Sequence, residues 1–264
     1  VEQLNSGAKV YASGAVCLSN FEIKANIDNA SDLQYANYTI ASNILDSIEK
    51  KMPVTPIRKV RKANLGDVFT IEGYVTSGTA NENCRFFDAI YVQDKTAGIT
   101  VFPYAADGLE IGTKIRITGY VDEYQGDTEI QVMSYKILKD EPKKVIEPTL
   151  LAPKDSMNYG DFGGMLIKTF GVATKVTYTE DGKGVSQFYI KDKEGNLANI
   201  FIDGYILSGN TGKNELASVV KEGQLVSAVG LLYKHPEGSS DVSVPCLRVR
   251  NCDEIVAVTQ EQVD

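Results

Sequence analysis

Ile90-Tyr91-Val92-Gln93-Asp94-Lys95 and Phe188-Tyr189-Ile190-Lys191-Asp192-Lys193 are two versions of one strand and turn within a single chain. Each is followed by a glycine turn and an apolar strand: Gly98-Ile99-Thr100-Val101-Phe102 in the first case, Gly195-Asn196-Leu197-Ala198-Asn199-Ile200-Phe201 in the second. Downstream, Ile111 to Val121 answers Glu222 to Leu232, with Gly119 opposite Gly230. An approximate repeat of this kind predicts two copies of one fold. Within the first copy Phe69, Ile71 and Val75 fall on one parity while Thr70, Glu72, Tyr74 and Thr76 fall on the other, the signature of a half-buried strand. Similar alternation at Ile90/Val92, Ile99/Val101 and Ile115/Ile117/Val121, with a turn at Gln125-Gly126-Asp127, predicts five short strands closing into a small β-barrel.

Those segments also carry a resemblance. GDVFTIEGYVTSG (66–78), AIYVQDKTAGITVF (89–102) and IGTKIRITGYVDEYQGDTEIQV (111–132) resemble the OB-fold domains attached to secreted bacterial nucleases and phosphoesterases. The second copy, from about Leu166 to Val258, resembles the same fold more loosely. It has Lys191 in place of Gln93 and an insertion containing Asn210-Thr211-Gly212-Lys213. The fold expected is therefore mainly β: two tandem OB-fold-like five-stranded barrels behind a short N-terminal strand-helix segment. The expected layout is a remnant over 1–61, barrel one over 62–140, a linker over 141–162, barrel two over 163–258 and a tail over 259–264. The linker holds Pro142, Pro148 and Pro153 and reads as a semi-rigid spacer. In the remnant, Lys9 to Gly14 reads as a strand and Ala36 to Lys50 as a helix with Ile40, Ile44, Leu45 and Ile48 on one face. Tyr11 to Asn29 and Tyr35 to Leu45 faintly resemble the end of glutamine-amidotransferase-like domains of large Gram-positive secreted proteins. The resemblances imply an extracellular or cell-surface location and a larger parent protein; a chain starting at Val1 without an initiator Met is expected of a processed or excised product.

Composition narrows the chemistry. Among 264 residues, 27 are basic and 35 acidic, a formal charge of -8, which opposes general binding to duplex DNA. No apolar run approaches the ~20 residues of a membrane span. Cys17, Cys84, Cys246 and Cys252 are too few and scattered for a disulfide scaffold, and with His235 the single histidine a Cys/His zinc site is not expected. No cofactor is called for. Asn210 to Asn214 lacks the spacing of a phosphate loop, and Ser13-Gly14 lacks the upstream glycine of a nucleophile elbow. Asp122, Glu123, Asp127 and Glu129 flank the Tyr124-Gln125-Gly126 hairpin and read as a solvated acidic turn, and His235 as a surface turn residue.

Candidate ligand-binding residues lie on the parity opposite the aliphatic core: Tyr74, Tyr91, Gln93, Phe102, Tyr104, Lys114, Arg116 and Tyr120. OB folds bind oligonucleotides or oligosaccharides on the face of their second and third strands, with aromatics stacking and basic groups tracking phosphates. Tyr91, Phe102 and Arg116 are the favoured trio. From Lys62 to Asp140 the chain has seven basic and twelve acidic residues, which shifts weight from nucleic acid toward neutral glycan or protein ligands. The function expected is that of a non-catalytic module binding an extended polymer, single-stranded nucleic acid or glycan. The alternatives are a spacer contacting neighbouring domains, or the accessory part of a metal-dependent phosphoesterase or nuclease whose catalytic domain lies elsewhere. A polymer site needs the trio exposed together in a groove, whereas a spacer buries it at an interface.

Overall fold

The computed structural model describes the backbone of four short strands between Val10 and Tyr35, and residues 52–208, 213–236 and 241–260. The chain divides into two compact units, Val1–Val54 and Thr55–Asp264. In the first, β1 (Val10–Ala12) pairs antiparallel with β4 (Leu33–Tyr35), and β2 (Ala15–Ser19) with β3 (Glu22–Asn26). Four strands thus stand where one was anticipated; the helix anticipated over 36–50 lies outside the described residues.

The second unit holds both barrels. Strands β5 (Val68–Ser77), β6 (Ile90–Gln93), β7 (Gly98–Phe102), β8 (Lys114–Tyr124) and β9 (Asp127–Ile137) close in the order β5-β6-β7-β9-β8. Every ladder is antiparallel except β7 with β9. After the strand β10 (Thr149–Leu150) the order repeats. β11 (Leu166–Tyr178), β12 (Val185–Lys191), β13 (Leu197–Phe201), β15 (Ser243–Val249) and β14 (Leu225–Pro236) follow one another, β14 pairs back to β11, and β13 with β15 is again parallel. A five-stranded barrel with the first and fourth strands closed and the third and fifth parallel is the OB fold.

Alternation supplies the first core: Ile71, Val75, Ile90, Val92, Ile99, Val101, Ile115, Ile117 and Ile130 point inward and are buried. The short helix α1 (Ile57–Val60) adds Ile57 and Val60 to that core, so the first barrel begins before the expected boundary at 62. Thr70 breaks the parity rule at little cost, because its buried hydroxyl is satisfied by Thr118 Oγ1 at 2.7 Å.

The expected spacer is instead packed structure. β10 pairs parallel with β11, and the single-turn helices α2 (Pro153–Ser156) and α3 (Tyr159–Phe162) follow. Leu151, Met157, Tyr159 and Phe162 lie against the second core, since apolar side chains at this density are more stable covered than in a solvated linker.

The barrels also dock directly. Phe86, Ala89 and Tyr91 of the first join the buried cluster of the second. The Leu166 N–H donates to Gln93 Oε1 at 2.9 Å, Leu207 N–H to the Asn83 carbonyl at 2.9 Å, and Arg250 Nη1 to the Thr76 carbonyl. Gly98 and Gly164 pass backbone to backbone, and a Cβ built on Gly98 would stand 1.9 Å from the Gly164 carbonyl oxygen.

Candidate functional site

Docking changes the meaning of the sequence-derived set. Tyr91 is fully buried and Gln93 nearly so, both under the second barrel, which corrects the expectation that they face solvent. Phe102 is half-buried against the second core. Tyr104 is buried with its ring 4.8 Å from that of Tyr135. On another part of the first barrel, Arg116 Nε donates to Glu72 Oε1 at 2.8 Å, and Lys114 Nζ lies 3.6 Å from Glu72 and 3.3 Å from Glu141. Tyr74 there sits under Lys144, 5.9 Å from Nζ to ring centroid, and Tyr120 is half-buried. The trio is not brought together. Parity assigns each side chain to a face of its strand, but a second domain covers one part of that face and carboxylates neutralise the cations on another.

What the second barrel leaves open is a cleft of about 440 Å³ on the same face of the first. Strands β7 and β9 provide Thr100, Phe102, Glu129 and Gln131, and the β8–β9 hairpin provides Asp122, Glu123 and Tyr124. Phe87 and Ala89 come from the β5–β6 connection; Tyr205, Tyr233 and Arg248 come from the second barrel. The strand-two and strand-three face with the loops joining strands one to two and four to five is where OB folds take ligands. Two broader concavities of about 590 Å³ lie off this face, around Tyr178 and Lys213 and around Arg58, Lys59 and Lys62.

Three rings at the cleft are open to solvent: Phe87 at 65%, Tyr205 at 53% and Tyr124 at 56%. Phe87 and Tyr205 stack on each other across the barrel seam, centroids 5.9 Å apart and planes 25° from parallel. Keeping such rings in water forgoes their burial energy, which makes them the residues to explain. Arg248 is the cation of the cleft; its two terminal nitrogens are engaged, while its Nε is buried with no hydrogen-bond partner. Nη2 bonds Asp203 Oδ2 at 2.5 Å and Nη1 donates to the Tyr91 hydroxyl at 3.2 Å, while the guanidinium lies 3.9 Å from the Phe86 centroid and 4.9 Å from that of Tyr233.

Of the four acidic residues of the hairpin, Glu123 is exposed and Asp122 half-buried, whereas Asp127 and Glu129 are buried rather than solvated. Asp127 is 1% exposed and accepts from Thr100 Oγ1 at 2.7 Å and from the Tyr159 hydroxyl at 2.8 Å; Tyr159, on α3, closes over it. Burial pushes its carboxyl up to about 6, against the pull of Thr100, Arg61, Tyr159 and Arg248. Glu129 is 6% exposed, and burial, then the charges of Asp127 and Asp122, push it up to about 7, while Gln131 Nε2, donating at 2.7 Å, holds it back. A carboxyl raised on folding contributes stability that is complete below its unfolded value and is lost as pH climbs through the folded one. The thermal midpoint therefore falls in this respect as pH rises from 5 to 8. His235, pushed down by burial, acts in the opposite sense, so the readout is the difference between wild type and Glu129→Gln across that window. Glu129→Gln is expected to gain on the wild type with rising pH; parallel curves would show that Glu129 ionises freely.

His235 stands in β14 rather than in a turn, its ring 4.2 Å from that of Phe201. Cys84, Cys246 and Cys252 are free thiols, and burial raises all three above their ordinary value. Residues 210–212 of the Gly-Lys insertion lie outside the described residues. Among the described residues no group of three or more side chains is arranged to hold a metal ion, and no helix is long and apolar enough to cross a membrane.

Sequence reasoning missed Phe87, Tyr205, Tyr233 and Arg248 as cleft residues. Phe87 sits in an irregular connection with no period, and the other three belong to the copy judged less similar.

No family model matches the chain, and no curated protein does. Solved structures similar to it include the single-stranded DNA binding protein from Thermus aquaticus (11% identity, 75% of this chain and 95% of that one, TM-score 0.25). Others are a replication protein A heterotrimer bound to single-stranded DNA (8%, 97% and 80%, 0.26) and the hypothetical protein ygiW from E. coli (18%, 33% and 90%, 0.26). At these scores the likenesses carry no argument about ligands; the OB assignment rests on strand order.

Proposed function

We propose that this chain is a non-catalytic OB-fold binding module that holds a short stretch of oligosaccharide in the cleft between its barrels, as part of a larger secreted or cell-surface bacterial protein. The observation carrying the first part is the combination of exposed rings at Phe87, Tyr124 and Tyr205 with a hydrogen-bonding floor of Thr100, Glu129 and Gln131. Flat apolar faces suit the apolar face of a sugar ring, and carboxylate and amide groups suit its hydroxyls. A phosphate backbone would meet Asp122, Glu123 and Glu129 there, with Arg248 already paired. The secreted setting and the link to a phosphoesterase or nuclease parent rest on the resemblance of residues 66–132 alone.

The test is calorimetric titration of the whole chain with neutral oligosaccharides and with single-stranded oligonucleotides. Binding of a glycan, weakened about tenfold or more by Phe87→Ala and again by Tyr124→Ala, is the expected result, since each ring contributes on the order of 1.5–3 kcal/mol when covered. Tight oligonucleotide binding that collapses with added salt would replace the glycan reading. A second reading has its own support: burial of Tyr91 and Gln93 beneath the second barrel is what a spacer holding neighbouring domains at fixed geometry requires. Silence toward both ligand panels would favour it.

A further inference from the structure

Arg248 lines the cleft with more hydrogen-bonding capacity than the protein uses. A guanidinium carries five N–H donors. Here Nη2 gives one to Asp203 and Nη1 one to the Tyr91 hydroxyl, while Nε is buried with no hydrogen-bond partner. The side chain is 13% exposed, and the rings of Phe86 and Tyr233 hold its plane in place. Asp203 balances the charge, but donors remain unmatched, which is costly unless a ligand supplies the acceptor. Gln131, in the same cleft, has the opposite surplus: Nε2 donates to Glu129, which leaves the carbonyl Oε1 without a donor among the described residues. Register sets Phe102 beside Gln131 across the β7–β9 ladder, and Thr100 beside both Tyr91 and Glu129. Donors at Arg248 and an acceptor at Gln131 therefore flank one floor, with an aromatic ring next to the acceptor.

Resting on the oligosaccharide reading, we infer that the cleft selects an N-acetylated sugar, whose acetamido carbonyl accepts from Arg248, whose N–H donates to Gln131 Oε1 and whose methyl lies on Phe102. In a trans amide the C=O and N–H point in opposite directions, which suits donors on one side of the floor and an acceptor on the other. A hydroxyl in the same place offers a single oxygen and nothing for the ring to cover. A ligand carboxylate would also accept from Arg248, but that charge is already balanced by Asp203, and Asp122 and Glu123 line the same cleft, so a neutral acceptor is favoured. The stacked Phe87–Tyr205 pair forms a broad flat wall that fits a pyranose better than the backbone of a peptide, whose amides would offer similar polar groups.

The experiment is calorimetric titration of the whole chain with a trisaccharide of N-acetylglucosamine, the glucose trisaccharide of the same linkage and a trisaccharide of glucuronic acid. Wild type is expected to bind the N-acetylated sugar about tenfold or more tighter than the glucose sugar, the scale of one hydrogen bond to a charged group in a desolvated site. Arg248→Lys keeps the charge opposite Asp203 and loses the planar donor edge; Gln131→Met keeps the length of the side chain and loses the acceptor. In each the ratio falls to about threefold or less, with affinity for the glucose sugar little changed. Thermal melts establish that the variants are folded, and if Arg248→Lys is not, Gln131→Met, at a half-buried position of the first barrel, decides alone. Equal affinity of wild type for the N-acetylated and glucose sugars overturns the acetamido inference and leaves the oligosaccharide reading standing. Binding of none of the three overturns both. Tighter binding of the glucuronic acid sugar than of the N-acetylated one overturns the neutral acceptor at Arg248, and a wild-type ratio in Gln131→Met overturns the placement of the amide.

Discussion

Tyr91→Ala lowers the unfolding free energy by about 3–5 kcal/mol, the range for truncating a large aromatic in a packed core. The ring is fully buried, meets Phe86 edge-on at 5.6 Å between centroids, and belongs to the cluster formed with the second barrel. Truncation leaves a cavity at the seam and removes the acceptor of Arg248 Nη1, leaving the guanidinium its Nη2 bond to Asp203. Tyr91→Phe keeps the ring and loses the hydroxyl alone, so its cost is on the order of 1–2 kcal/mol. Urea denaturation of both variants measures the difference. A Tyr91→Ala protein as stable as wild type would mean that the barrels do not dock through this ring.

Gly98→Ala is expected to cost about 3 kcal/mol or more, at or beyond the upper end of ordinary overpacking, because both clashing groups are backbone. The added Cβ would stand 1.9 Å from the Gly164 carbonyl oxygen and 2.2 Å from its carbon. Relief requires the barrels to part, and parting sacrifices the Gln93–Leu166 hydrogen bond and the cover over Tyr91. Denaturation should then resolve two transitions where the docked barrels of the wild type are expected to unfold in one. Gly204→Ala is the control, since its Cβ meets nothing within 4 Å, and surface changes of this kind stay within about 0.5 kcal/mol. Equal behaviour of the two variants would contradict the close approach at Gly98.

The barrels were legible because the OB fold writes itself in period-2 alternation and in repetition. Ile90/Val92 and Ile99/Val101 point to one core from either direction, and the second copy repeats the order. The seam was not legible. Tyr91 alternates with Ile90 and Val92 whether water or another domain lies beyond it, so parity named its side without naming its neighbour. Lys114 and Arg116 looked available because cross-strand register, which sets Glu72 opposite Arg116, is a property of the folded ladder. Four acidic residues around a hairpin imply a solvated turn, whereas Tyr159, from the proline-bearing segment 141–162, closes over Asp127. The cleft combines Phe87 from a loop, Glu129 from the first barrel and Tyr205, Tyr233 and Arg248 from the second; no single window of sequence contains it.

The most direct test of a glycan cleft at the barrel seam is aromatic-resonance NMR during titration with an oligosaccharide, with Phe87, Tyr124 and Tyr205 assigned by substitution. Saturable shifts confined to those rings and to Phe102 and Tyr233, with Tyr74 and Phe69 unmoved, are the predicted result. Shifts gathered instead at Tyr74, beside Lys114, or at Phe69, beside Lys59 and Lys62, would contradict it and move the site away from the seam.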